Sequence, residues 1–388
     1  MKTFCFKLYN SERNKQLMRL INIAGLIYNH CIALHKHYYK LYGKHLHKYA
    51  LQKHITKLKH RSKRFAYMQE LDAQAIHDIT DRIEWAYNNF WRKRKQGIKA
   101  SPPGFMKVRR YKSFTLRQSG WKLDEPHGRI RLFFRWYRYF QSRNIMGKIK
   151  TVTIKRDALG NIYVHLVCDI QYDTVRLRSG SAVGLDFGLK RFLTASDGHD
   201  IESPDFFTLN ADSIRKKHRK LSRKKKGSRN RERARMDLAR AYIKSVNQRK
   251  DFHFKTARRL CEQYAVICLE DLNIAGMAKI WGRKIYSLGF YQFVRILQHE
   301  ASKLGTRVAF VDRFYPSSQL CSTCGYRNHE VKENMNIREW KCPQCGTVHD
   351  RDRNAAMNIL RAGASAYSGG TVRPEKSGSV VDATIRRR

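Results

Sequence analysis

Four cysteines and three isolated acids are the residues of this chain best suited to chemistry. Cys321-Ser-Thr-Cys324 and Cys342-Pro-Gln-Cys345 are two CxxC pairs. Two such knuckles can present four thiolates tetrahedrally to Zn²⁺, which lets a loop-rich segment fold without a core of its own. Gly325 and Gly346 follow the knuckles and permit tight turns. Four protein thiolates leave no open coordination position, so the expected zinc is structural. A disulfide pair is the alternative, and a reducing compartment disfavours it.

The acids stand in apolar surroundings. Asp186 lies in Ala182-Val-Gly-Leu-Asp-Phe-Gly188, Glu270 follows the apolar run 265–269, and Asp352 lies in His349-Asp-Arg-Asp-Arg-Asn-Ala-Ala356. Two divalent ions about 3.5–4 Å apart need carboxylates from separate elements converging on one point. Mg²⁺ suits such a site, because it takes hard oxygen ligands and keeps positions for water and phosphate. Taken singly, Asp352 also reads as a helix N-cap, and Glu270 as an ion-pair partner for one of many bases. Glu270 is preferred to its neighbour Asp271 because it ends the strand. The residues themselves do not decide between Asp350 and Asp352.

The charge of the whole chain points to the partner. Lys and Arg number 79 against 32 Asp and Glu, a formal net charge of +47. Self-repulsion on that scale calls for a polyanion, and nucleic acid is the expected one. The run containing Arg215, Lys216, Lys217, Arg223, Lys224, Lys225 and Lys226 is the densest candidate for phosphate contact; a solvated helix face is its plainer reading. Phe133-Phe-Arg-Trp-Tyr-Arg-Tyr-Phe140 could stack bases or form a half-buried strand. The histidines, including His35, His37, His45 and His47, form no metal-binding pattern along the sequence. Cys5, Cys31, Cys168, Cys261 and Cys268 read as small buried hydrophobes. No run is expected to be apolar over the roughly 18 residues of a membrane span. The N-terminus carries charge inside its apolar stretch, unlike a signal peptide. A cytoplasmic, nucleoid-associated protein is expected.

The elements that must position these residues follow from periodicity. Residues 2–9 read as a strand. Leu17, Leu20, Ile21, Ala24, Ile27, Tyr28 and Cys31 then mark a helical face. Helical segments continue to about residue 95. Strands follow over about 105–170, the clearest pair being 148–155 and 162–170. Asp186 and Glu270 are each expected on a strand, with a basic helical segment over about 207–264 between them. A helix is expected over 289–304, a strand over 307–311, and a last helix from about 353 to 361.

Together these segments resemble the TnpB family, RuvC-containing nucleases of bacterial transposons related to type V CRISPR effectors. The matching stretches are Gly184-Leu-Asp-Phe-Gly188, Leu269-Glu-Asp-Leu-Asn273, Phe314–Gly325, Cys342-Pro-Gln-Cys-Gly346 and His349–Ala356. The resemblance implies an α/β multidomain fold. A wedge-like β-barrel would span 1–10 and 100–178, interrupted by a helical recognition lobe over 11–99. An RNase H-like RuvC nuclease domain would span 182–361 and carry a zinc-bearing, target-binding insertion at 314–350. The tail 362–388 lies outside the resemblance; its Gly/Ser-rich composition ending in three arginines predicts a disordered basic tail. The implied activity is RNA-guided, Mg²⁺-dependent cleavage of double-stranded DNA next to a short adjacent motif. The guide RNA would come from the transposon end, with one protein per RNA or a dimer. The family pattern also makes Asp352 the third carboxylate. Rival readings are a small type V CRISPR effector, a guide-independent transposase or recombinase, and an RNA-guided binder that does not cut.

Overall fold

A computed structural model describes residues 1–170, 177, 179–204, 206–334 and 337–368. The chain divides into two compact units, residues 1–172 and 173–388.

The first unit opens with strand β1 (Lys2–Lys7), whose Phe4 and Phe6 alternate into the core. Helix α1 (Asn14–Tyr42) buries Leu17, Leu20, Ile21, Ala24, Ile27 and Cys31, the face expected from the 3.6-residue period. It stops at Gly43, whose φ of 63° lets its amide bond back to the Tyr39 carbonyl at 2.8 Å. Contrary to the sequence expectation, α1 is long and apolar enough to cross a membrane, but half of that stretch is buried inside the unit. Its apolar length serves a core. Helices α2 (Lys48–Arg61) and α3 (Ala73–Lys95) pack with it, and Asp72 caps α3 by accepting the Gln74 amide at 2.8 Å.

Six strands follow: β2 (Ser113–Leu116), β3 (Trp121–Asp124), β4 (Arg129–Leu132), β5 (Arg135–Arg138), β6 (Lys148–Arg156) and β7 (Ile162–Asp169). They complete a sheet of order β1-β7-β6-β2 and a second of order β3-β4-β5. An isolated bridge between Leu8 and Tyr139 links the two sheets. Thus β1 pairs with a strand beyond the helices, and α1–α3 form an insertion between strands, as read from the sequence. The aromatic–arginine run supplies the turn and second strand of a half-buried hairpin: Tyr137 is buried, Arg135 and Arg138 are exposed, and Arg129 lies over the Trp136 ring.

The second unit contains a five-stranded sheet of order β10-β9-β8-β11-β12. Its strands are β8 (Ala182–Phe187), β9 (Arg191–Ala195), β10 (Ile201–Glu202), β11 (Val266–Glu270) and β12 (Arg307–Val311). The first three form an antiparallel meander, while β11 runs parallel to both β8 and β12. The expected basic helix is three pieces, α4 (Phe206–Leu209), α5 (Ala211–Ser222) and α6 (Arg229–Gln263). Ser228 caps α6 by accepting the Arg231 amide at 3.1 Å. Helices α7 (Ile274–Trp281), α8 (Arg283–Leu288) and α9 (Phe290–Leu304) connect β11 to β12. Phe187, Phe192, Phe290 and Phe293 build the core between sheet and helices. The cysteine segment contains α10 (Glu330–Glu333) and the hairpin β13 (Glu339–Lys341)/β14 (Val348–Asp350). Helix α11 (Arg351–Ser368) closes the fold.

That last helix corrects the expectation of an end at 361 and disorder from 362. The helix continues through Gly363, which faces Cys268 of the sheet, and Ala362 packs beside it. The rest of the predicted disordered tail, 369–388, lies outside the described residues.

Candidate functional site

The period of two along β8 and β11 places the acids. A Cβ at Gly184 would overlap the Ala356 carbonyl, and one at Gly363 would overlap the Cys268 sulfur. Gly184 and Cys268 therefore both face α11, and they are register partners in the sheet. Two residues further on, Asp186 and Glu270 point to the same face. One turn back from Ala356, along about 6 Å of helix, is Asp352. Two strand residues cover about 6.6 Å, so the strand and helix steps match and the three carboxylates face one cleft. They line one cleft of about 550 Å³, with Arg313, Arg338 and Arg351 on its wall.

Electrostatics set this cluster apart from surface acids. Burial, then the carboxylates of Glu270 and Asp352, hold the Asp186 carboxyl well above the ordinary range; Arg351 and the Phe187 amide oppose them. Burial, with the Asp271 charge, pushes Glu270 up to about 7. Acids that suppress one another's ionisation are relieved by a hard cation, and oxygen-only donors beside open cleft volume fit Mg²⁺. Asp352 is clamped between Arg338 (3.1 Å) and Arg351 (3.1 Å).

The neighbouring acids have other partners. Asp271 turns to Arg313 at 2.9 Å. Asp350 accepts the Arg353 amide at 2.8 Å and is the N-cap of α11. The ambiguity between Asp350 and Asp352 is thereby separated geometrically: one caps the helix, the other faces the cleft.

The four cysteines also come together. Their sulfurs lie within 4.8 Å of one another, with Cys321–Cys345 and Cys324–Cys342 both at 3.6 Å. Four thiolates around Zn²⁺ at about 2.3 Å would sit about 3.8 Å apart, whereas a disulfide would need about 2.05 Å. The cluster can bind zinc. Gly325 (φ 81°) and Gly346 (φ 75°) make the turns, donating amides to the Cys321 and Cys342 carbonyls at 2.9 Å each. His349 Nε2 lies 3.0 Å from the Cys321 sulfur.

Sequence reasoning missed the side chains that join the two clusters. Asn354 and Asn358 are buried on α11. Asn354 accepts the Ser322 amide at 2.8 Å and donates to the Leu320 carbonyl at 2.6 Å. Asn358 donates to the carbonyls of Ser317 (2.8 Å) and Leu320 (2.7 Å), and Arg361 to that of Ser322 (2.6 Å). Their 354, 358, 361 spacing is one helical face, a polar stripe that the pattern did expose. Arg215, Lys216, Arg223, Lys224, Lys225 and Lys226 are exposed and Lys217 is half-buried; none lines the cleft. Of the remaining cysteines, Cys31, Cys168, Cys261 and Cys268 are buried as expected, and Cys5 is half-buried.

Two family models match, one described as "Probable transposase" over residues 165–281 and one as "Cas12f1-like, TNB domain" over 290–359. A Streptomyces pristinaespiralis protein named "Putative RNA-guided DNA endonuclease" is 30% identical over 97% of this chain and 93% of its own length. The chain belongs to the TnpB family. An Escherichia coli K12 member, "Putative RNA-guided DNA endonuclease InsQ", is 30% identical over 78% of each chain. A solved Cas12f1–sgRNA–target DNA complex contains a distant likeness, 15% identical with a TM-score of 0.35, covering 92% of this chain and 98% of that one.

Proposed function

We propose that this chain is an RNA-guided DNA endonuclease and that Asp186, Glu270 and Asp352 are its catalytic residues. The observation that carries the reading is the meeting of three carboxylates in one cleft of a chain with net charge +47. The meander-plus-parallel order of the five-stranded sheet supports an RNase H-like, RuvC-type domain over 182–361, with the zinc-bearing target-binding insertion at 314–350. Residues 1–10 and 100–178 would be the wedge-like barrel, and 11–99 the recognition lobe.

Asp186 and Glu270 would hold Mg²⁺ from rigid strand ends, and Asp352 from the first turn of α11. Bound there, the ions would supply an activated water and a stabilised 3′-oxygen leaving group, leaving 5′-phosphate ends. Arg338 and Arg351 orient the Asp352 carboxylate. Arg313, held by Asp271, places positive charge on the cleft wall where a phosphodiester would enter. The run from Arg215 to Lys226 is offered to nucleic-acid backbone, while base pairing to the guide reads sequence. In this reading the closed thiolate site is structural and takes no part in the reaction.

The test is sequencing of RNA that copurifies when the gene is expressed with its native flanking DNA. A discrete RNA with a constant part and a variable end supports the reading. Absent or heterogeneous RNA would favour an enzyme that acts on transposon-end DNA by protein contacts alone.

A further inference from the structure

The first unit holds a second group of metal-ligating side chains, far along the sequence from the acids and the cysteines. His45 and His47 lie in the turn between α1 and α2, and Glu84 projects from α3. One ligand atom from each falls within 4.8 Å of the others. Ligands around Zn²⁺ at about 2.1 Å sit about 3.4 Å apart, so small side-chain rotations close the shell. The His47 side chain is 74% exposed and touches the His45 ring edge-on, with centroids 5.2 Å apart.

The hydrogen bonds fix which atom of His45 is available. His35 Nε2 accepts the Leu46 amide at 3.4 Å and so carries no proton. His45 Nδ1, 2.8 Å from that same nitrogen, must then be the donor. The lone pair of His45 is thereby placed on Nε2, and this atom is buried without a hydrogen-bond partner. A buried acceptor left unmet is unfavourable, and a bound cation would satisfy it. The Glu84 carboxylate uses one oxygen, Oε2, to accept the Lys48 amide at 2.6 Å, while Oε1 turns to His47 Nδ1 at 3.6 Å. The Lys48 ammonium makes its ion pair with Asp81 at 2.9 Å. His35 is itself held by stacking on Tyr87 at 3.8 Å.

An imidazole whose second nitrogen is engaged by a fixed acceptor, a second imidazole and a half-free carboxylate make a transition-metal donor set, with the far ring partner setting the tautomer. We infer that His45, His47 and Glu84 form a metal site for Zn²⁺, separate from the thiolate site, with His35 as its positioning residue. The ion would clip the α1–α2 turn onto α3 and leave at least one position for water on the exposed His47 side. No pattern within residues 35–47 could reveal it, because the third ligand comes from another helix.

The experiment is metal analysis of the full-length protein after dialysis against Zn²⁺ alone, with Co²⁺ substitution to separate the two sites. The unsubstituted protein should hold one equivalent more than His47→Ala or Glu84→Gln. Co²⁺ in that extra site should give a nitrogen–oxygen ligand-field spectrum without thiolate charge transfer. His47→Ala removes an exposed side chain and Glu84→Gln keeps an acceptor for Lys48, so both should keep the native circular dichroism. His35→Phe should weaken the extra site by about 10–100-fold. Equal metal content and equal spectra in the unsubstituted protein and both variants would overturn the site. Extra metal that persists in both variants would likewise overturn it, as surface binding elsewhere.

Discussion

The carboxylate cluster and the thiolate cluster of the second unit hang from the same helix and make opposite demands on it. The cysteines are joined by hairpins and glycine turns within one short segment, so their meeting is a local event. The acids come from two strands and a helix more than eighty residues apart at each step, so their meeting depends on packing across the sheet. Asn354, Asn358 and Arg361 fasten α11 to the first knuckle, and Gly184 and Gly363 let the same helix lie on the sheet. A closed site is thus used as a bracket for an open one.

The largest effects are expected at the acids. Asp186→Ala should lower cleavage at least about 10³-fold, the scale on which single charge-stabilising groups act, while RNA binding and zinc content stay unchanged in a filter-binding and metal assay. Cys342→Ser should act on the other cluster: zinc is lost and the protein melts earlier by several kcal/mol of stability, because metal binding there is folding energy. Full zinc occupancy in that variant would remove the thiolate reading.

The bracket itself is the next target. Asn354→Ala leaves the Ser322 amide unmet, while the Leu320 carbonyl keeps its bond from Asn358, and should cost about 1–3 kcal/mol. If the two clusters are coupled as described, cleavage should fall with zinc still bound. Gly184→Ala should cost a similar amount, about 1–3 kcal/mol, by forcing α11 off β8, and should lower cleavage more than melting temperature. Unaltered cleavage in both would mean that the clusters merely share a helix.

The smallest effect is on pH. Asp186 and Glu270 hold their protons more tightly folded than unfolded, Glu270 up to about 7. Each contribution is present below the unfolded carboxyl range and is lost as pH rises through the folded value, which for Glu270 is about 7. Metal-free protein should therefore melt earlier at about pH 8 than at about pH 5 through these groups, and Glu270→Gln should flatten that slope. A steeper slope in Glu270→Gln would contradict it.

Most of the second unit was legible in the sequence because its signals are short and stiff. CxxC spacing, glycines after the knuckles, and apolar strands ending in acids each depend on a few neighbouring residues. Glu270 over Asp271 was readable from the strand end, and the Asp271–Arg313 pair gives the reason. Asp350 against Asp352 was not, since both sit at a helix start and only the direction of the first turn separates them. The helix end at 361 was misplaced because the residues beyond it are Gly/Ser-rich, whereas Gly363 makes a contact with Cys268. The membrane-length apolar stretch of α1 was missed because scattered polar residues hide its mean hydropathy. The histidine group in the first unit was hidden because its carboxylate lies on another helix.

Programmed cleavage by the purified protein–RNA complex measures RNA-guided cutting most directly. The variable end of the copurified RNA would be replaced, and two DNA duplexes offered, one matching the new sequence and one matching the old. Cutting that follows the RNA, needs Mg²⁺ and disappears in Asp186→Ala is the predicted result. Cutting of one fixed DNA sequence whatever the RNA, or undiminished cutting by Asp186→Ala, would contradict the account.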